Sequence, residues 1–333
     1  MTLGKINEDF SNRCFVRISG YYTQPKATLK YPRTPQRSIK SRISNLFNKN
    51  KTIKLVPTKQ NNFLKRTMGL DLHIKNGDTI GIGSNLFINN GGVLDRLNMT
   101  PAKYHDLFPK NVSTQVAQNR QLGDCWLIST LNGLMRKAKG KIAVLKTFGQ
   151  DYEDMYIKLP SKTVRFPKSQ IATKPQEHLT GPKGLQMQEE AVAIKRIKTV
   201  SGDISELQYV AGVPSFLSRL NCGTQAEALH QYLPEVKPTI IENNKKAAQK
   251  DIIKKYANKD DVFLGLMTDS NPKDPQKKFG EILIPRHAFV VTSYDKKAKL
   301  VRLQDPYEPE RSIRLSFERL MRFPFTLTLA KLK

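Results

Sequence analysis

Acidic residues are scarce in this chain. Its 333 residues hold 29 Asp and Glu against 56 Lys and Arg, a formal net charge of +27. An imbalance of this size draws anionic partners, a nucleic acid or a charged membrane surface, and disfavours cationic ones. Cysteine is almost as rare. Cys14, Cys125 and Cys222 are an odd, widely spaced set, which argues against a disulfide framework and for a reducing compartment. No CxxC pair occurs, and Cys222 with His230 supplies too few ligands for structural zinc, so neither a metal nor a cofactor is expected. No apolar run approaches the roughly 20 residues that span a bilayer. The opening residues Met1 to Glu8 also lack the apolar core of a secretory signal. The expected location is cytoplasmic, or outside the cell by a route without a classical signal peptide. No internal repeat is present, and the length suits two or three folded units.

The positive charge is concentrated at one end. Across residues 1–68 the only acids are Glu8 and Asp9, against a long series of cations from Lys26 to Arg66. Pro, Ser, Asn and Thr fill the gaps, and Ser38 to Phe47 offers at best one short helix. The segment reads as a mobile basic arm. It serves equally as a solvated leader, an address for an anionic membrane surface or nucleic acid, or an inhibitory or export segment. From Leu70 to Asn90 the pattern alternates, with Asn76-Gly77, Gly81, Gly83 and Gly91-Gly92 as turns, which predicts a short β meander. Thr100 as N-cap and Pro101 at the first position predict a helix through Leu107. His73, His105 and His178 carry no recognisable chemistry, and His105 is expected on an exposed helix face.

Chemistry enters at Gly123-Asp124-Cys125-Trp126. Leu127, Ile128, Leu131, Leu134 and Met135 follow at helical spacing and predict an amphipathic helix burying one face. Asp124 is a suitable N-cap. Cys125 then sits in the first turn, among unpaired N–H groups at the positive end of the dipole, where a thiolate is favoured over a thiol.

A base and an orienting group follow in order. Ile282 to Ser293 reads as a strand, Asp295 to Lys299 as a polar turn, and Leu300 to Asp305 as a second strand ended by Pro306. A tight turn centred on Lys296 sets His287 opposite Asp305 or within one residue of it. Opposed residues have Cβ atoms roughly 5 Å apart, close enough for a carboxylate to hold an imidazole. Cys125, His287 and Asp305 thus make a nucleophile, a general base and an orienter. Residues 126–230 read as mainly helical, and 260–333 as mainly strand with one late helix at Ser316 to Arg322. The fold class is α+β.

These residues resemble the motifs of the calpain-type, papain-like cysteine proteases. That family carries Gln-Gly-x-x-Gly-Asp-Cys-Trp, then Gly-His-Ala-Tyr, then Asn-Pro-Trp. This chain has Gly123-Asp124-Cys125-Trp126, Arg286-His287-Ala288-Phe289 and Asp305-Pro306-Tyr307. Gly184 to Ala193 looks like the family's Leu-Leu-Glu-Lys-Ala-Tyr-Ala helix, and Gln208 to Gly212 falls where the family has a Gly-rich junction. The resemblance covers about residues 90–333. It implies a papain-like, two-lobed fold: 69–212 as the β meander plus a helical lobe with Cys125, and 213–333 as a β-rich lobe with His287 and Asp305. It also implies an endopeptidase that cleaves protein substrates through a thioester.

Three positions depart from the family. Asp305 replaces the usual Asn and adds a full charge. Tyr307 replaces the Trp that shields the histidine, and Trp126 is the other supporting aromatic. The family's oxyanion-hole Gln falls at Asn119 here, with Gln118 one residue earlier and Gln121 nearer the cysteine; Gln118 is favoured for its reach. The Cys-His-Asp set also fits transglutaminase-like acyltransferases, and a weakened oxyanion hole would leave a binding module targeted by its arm. The family's calcium loops have no residue-by-residue match, so calcium dependence is not carried over.

Overall fold

The computed structural model describes residues 74–152, 154–167, 179–196, 220–269 and 283–332, together with the backbone of four short strands elsewhere. Apart from those strands, the basic arm lies outside the described residues. So do Cys14, His73, His178 and the Tyr209–Gly212 part of the Gly-rich junction. The chain divides into two compact units, Met1–Pro101 and Ala102–Lys333.

The first unit is a six-stranded sheet. Its strands are β1 (Arg17–Ile18), β2 (Tyr21–Tyr22), β3 (Ile53–Lys54), β4 (Thr79–Ile82), β5 (Asn85–Asn90) and β6 (Val93–Leu97), in the order β2-β1-β4-β5-β6-β3. The expected meander is β4 to β6. Its two hairpins turn at Gly83 and at Gly91-Gly92, all three at positive φ, where residues with a Cβ are strained. Gly81 is not a turn residue. It lies within β4, where an added Cβ would meet the Pro101 ring at 3.0 Å.

The second unit opens with α1 (Pro101–Leu107), as the Thr100-Pro101 signal predicts. His105 on it is half-buried rather than exposed, set edge-on against the Tyr104 ring at 5.3 Å. Next come α2 (Cys125–Met135) and α3 (Ala138–Lys146). The region expected to stay helical then turns into a sheet: β7 (Phe148–Asp151), β8 (Asp154–Leu159) and β9 (Lys162–Phe166), antiparallel, with β10 (Glu206–Gln208) parallel to β9. Its signal was alternation. Met155, Ile157 and Leu159 are buried on one face, and Val164 with Phe166 continue it. The turns place Tyr152 and Ser161 at positive φ, without the glycine that normally announces such a turn.

Helices α4 (Lys183–Lys195), α5 (Gln225–Tyr232) and α6 (Lys246–Tyr256) follow, with β11 (Thr239–Ile241) between the last two. The chain closes with β12 (Val262–Thr268), β13 (Ala288–Asp295), β14 (Leu300–Asp305), β15 (Glu308–Ser316), α7 (Phe317–Met321) and β16 (Phe325–Lys331). These form a six-stranded antiparallel sheet in the order β11-β16-β12-β13-β14-β15. Phe289, Leu303, Leu320, Phe325 and Leu327 centre its apolar core. The late helix falls where expected, and the α+β class holds across the described residues. None of their helices is long and apolar enough to cross a membrane.

Helix α2 departs from its expected amphipathicity. All eleven of its residues are buried, and it packs on α3, α5, β12 and β13. Ser129, Thr130 and Asn132 look like a solvent face in sequence, yet each is bonded inside the protein. Gly133 allows the close approach to β12: a Cβ there would stand 2.5 Å from Phe263 Cε2. Alanine ordinarily favours a helix interior by about 1 kcal/mol over glycine. Here overpacking outweighs that gain, so Gly133→Ala should lower stability by about 1–3 kcal/mol, read from the denaturant midpoint. A stabilised variant would show that the helix–sheet spacing is not set by this contact.

Candidate active site

Cys125 opens α2, and its sulfur receives the backbone N–H groups of Ala288 and Trp126. The Ala288 contact places the thiol at the first residue of β13, beside His287. His287 is 3 % exposed, and its Nε2 lies 2.9 Å from Asp305 Oδ1 at the end of β14. The same carboxylate oxygen accepts the Tyr307 N–H at 2.8 Å. The Tyr307 ring stacks on the imidazole at 4.6 Å and 22°, and Phe289 meets its other neighbourhood edge-on at 4.9 Å. The structure therefore brings Cys125, His287, Asp305 and Tyr307 together.

The hairpin reaches this contact by a different register from the expected one. Val290 faces Gln304 and Val291 faces Leu303, and a bulge at Thr292 then sets Ser293 opposite Arg302. The connection is a four-residue turn, Lys296 to Lys299, with Lys299 at φ 55°, so the ladder is displaced by two to three residues from one centred on Lys296. Continued to its end, it sets His287 nearest Tyr307, which accounts for the stacked rings. The Asp305 carboxylate reaches the imidazole diagonally, from two residues along the strand on the same face. Arg286 stands at φ 52° immediately before, a left-handed turn taken without glycine.

Residues that sequence reasoning did not single out hold the parts in place. Thr268, at the end of β12, accepts the His287 N–H on Oγ1 at 3.0 Å and donates its own N–H to the His287 carbonyl at 2.9 Å. Gln225 on α5 donates from Nε2 to Ser129 Oγ and to the Phe289 carbonyl, joining three elements. Asn132 clamps both the N–H and the C=O of Val116, which fixes the loop leading to the thiol. Trp126 donates from Nε1 to the Leu220 carbonyl at 2.7 Å, and the Arg196 guanidinium lies over its ring at 4.5 Å. Each bond joins segments far apart in the chain, so no local pattern announces it.

The three loop amides differ in what they are free to do. Gln118 is buried; its N–H donates to the Pro306 carbonyl and its Nε2 to the Leu122 carbonyl at 2.6 Å. Its side chain thus helps to secure the loop, using one of its two amide hydrogens. Asn119 accepts the Gln121 N–H on its side-chain oxygen, and Gln121 is exposed. Cys222 is exposed, and it occupies φ 65° in the loop that packs on Trp126.

Asp124 does not cap α2 with its side chain; only its carbonyl enters the helix. Its carboxyl is fully buried beside Glu189, also fully buried, whose Oε2 accepts the Leu179 N–H. Burial, reinforced by the Glu189 charge, holds the Asp124 carboxyl well above the usual carboxylate range, while the neighbouring Gln118 amide works against the rise. Two adjacent buried carboxyls cannot both ionise. The folded protein therefore keeps a proton on Asp124 that the unfolded chain gives up near pH 4. Stability falls as pH rises from there until the folded group ionises, then levels off. Asp124→Asn needs no such proton, so it should flatten this slope and raise Tm at neutral pH relative to the parent chain.

Burial also pushes the Cys125 thiol up to about 11, in spite of the Ala288 and Trp126 N–H groups, and the Asp124 and Asp305 charges add to the rise. The helix-start thiolate expected from the dipole is outweighed by desolvation. The resting sulfur is a thiol at neutral pH, and any attack through it would need a base. Alkylation of Cys125 by iodoacetamide, followed residue by residue with mass spectrometry, should accelerate about tenfold per pH unit through neutrality and level off only toward pH 11. A rate independent of pH below 8 would instead reveal a resting thiolate–imidazolium pair.

No protein-family model matches the chain, and no curated protein sequence does either.

Proposed function

We propose that this chain is a calpain-like cysteine endopeptidase with a papain-like, two-lobed catalytic region. The observation that carries the reading is the convergence of Cys125, His287 and Asp305. The 2.9 Å bond from His287 Nε2 to Asp305 and the Ala288 N–H on the Cys125 sulfur come from three separate elements. An Nε2–H donated to the carboxylate leaves Nδ1 as the proton acceptor.

The chemistry follows. Nδ1 of His287 takes the thiol proton as Cys125 Sγ attacks the scissile carbonyl, and Asp305 stabilises the imidazolium that forms. The Cys125 N–H, unused at the helix start, faces the developing oxyanion. The imidazolium returns its proton to the leaving amine, and a thioester remains. Water, deprotonated by His287, then hydrolyses the thioester and restores the thiol. Tyr307 covers the His287–Asp305 bond and strengthens it by excluding water. The basic residues of 1–68 would hold the enzyme near an anionic surface or polynucleotide. With an amine in place of water the same residues would perform acyl transfer, and the Asp305 charge suits that variant as well.

The test is kcat/KM on a denatured protein substrate and its peptides, with amine incorporation measured in parallel. Cys125→Ala should abolish cleavage with the fold intact. Asp305→Ala should lose about 10²–10⁴, the usual scale for a proton-transfer partner. Asp305→Asn, which keeps the hydrogen bond but not the charge, should lose only about tenfold. Cleavage by Cys125→Ala would overturn the reading, and amine incorporation exceeding hydrolysis would move it to the acyltransferase.

A further inference from the structure

A cavity of about 580 Å³ borders Asp305 and Tyr307, and four arginines line it: Arg120, Arg311, Arg314 and Arg319. Against them stand the carboxylates of Asp305 and Glu308. Asp305 is committed to His287 and the Tyr307 N–H. Glu308 lies between Arg120 and Arg311, 3.3 Å from each. Arg314, on β15, and Arg319, in the first turn of α7, are left with no acidic partner among the described residues. Ser316 Oγ accepts the Arg319 N–H and fixes that turn. The remaining walls include the apolar side chains of Leu283 and Leu315, both buried, and the 40 % exposed Ile284.

We infer that this cavity is a substrate subsite for an acidic side chain, an inference that rests on the peptidase reading above. Two guanidiniums without an acidic partner, lining one cavity with apolar walls, can each receive a carboxylate in planar fashion, and they stay charged at any working pH. The basic arm is excluded as the occupant, since Glu8 and Asp9 are its only acids. The cavity borders the two residues that hold His287, and His287 hands its proton to the leaving amine. A substrate entering it does so on the leaving-group side, with Asp or Glu within a few residues of the scissile bond. Arg120, whose guanidinium lies 5.6 Å from the Tyr307 ring centre, marks the edge nearest the reacting atoms.

The experiment compares matched fluorogenic peptides that carry Glu, Gln or Lys after the cleavage site, using the full chain, Arg314→Gln, Arg319→Gln and Arg314→Glu. The Glu peptide should exceed the Gln peptide in kcat/KM by about tenfold, the scale of one charge-assisted contact. Each Gln variant should bring that ratio toward one, and Arg314→Glu should shift preference to the Lys peptide. In a second arm, fluorescence anisotropy measures binding of the same peptides to full-length Cys125→Ala. Cleavage without preference for Glu would overturn the subsite and leave the peptidase reading standing. Absence of cleavage, with Glu-selective binding lost in both Arg→Gln variants, would overturn the peptidase reading and keep the cavity as an acidic-peptide site. Equal binding of all three peptides would overturn the subsite.

Discussion

A helix with no solvent face must satisfy every polar group it carries against protein, and that constraint organises the second unit. Leaving a buried donor or acceptor unpaired costs about 1–3 kcal/mol, more than a typical bond contributes when made. Asn132, Ser129 and Thr130 on the Cys125 helix are therefore tied down, and the first two are bonded to the segments that form the site: the Val116 loop, and Gln225 with its link to β13. Packing alone would allow small slides of the sheet against the helix. These directional bonds do not, and they hold the sulfur and the Ala288 N–H in register.

The same burial that gives precision removes reactivity. Desolvation raises the thiol, so under the proposed mechanism the sulfur depends on His287 at the moment of attack, closer to the way a serine hydroxyl is used than to a preformed thiolate. The proposed mechanism gives the Asp305 carboxylate a clear purpose. A neutral amide orients an imidazole, but only a charge compensates for the imidazolium that a buried, thiol-activating base must become.

Local signals in the chain were legible and remote ones were not. Gly83, Gly91 and Gly92 announce their hairpins because positive φ needs glycine, and Thr100-Pro101 announces α1. The Cys125 helix start and the β13–β14 hairpin follow from the periods of their own side chains. The sheet of β7 to β9 escaped notice because its turns use Tyr152 and Ser161, and a helical reading of its neighbours spread across it. The hairpin register was missed by two to three residues because a bulge at Thr292 and a four-residue turn are invisible in composition. The His287–Asp305 contact survives the error because a shift of two residues keeps both side chains on one face, within diagonal reach of each other. Thr268, Gln225 and Glu189 could not be singled out, since their partners lie in other elements. Asp124 reads as a cap, and only its burial beside Glu189 reveals otherwise.

Trp126 is the only tryptophan in the chain. It is 1 % exposed, follows the thiol directly, and lies beneath the Arg196 guanidinium, which Glu227 holds at 2.6 Å. Its indole N–H is bound to the Leu220 carbonyl, and Gly223 lies against the ring so closely that a Cβ there would stand 2.2 Å from it. Excited at wavelengths that tyrosine does not absorb, the whole protein's fluorescence is consequently emitted from a single point beside the Cys125 sulfur. Any repacking of the Leu220–Gly223 loop changes the polarity around that one fluorophore, so the molecule carries its own optical gauge of the site, with no background from other indoles.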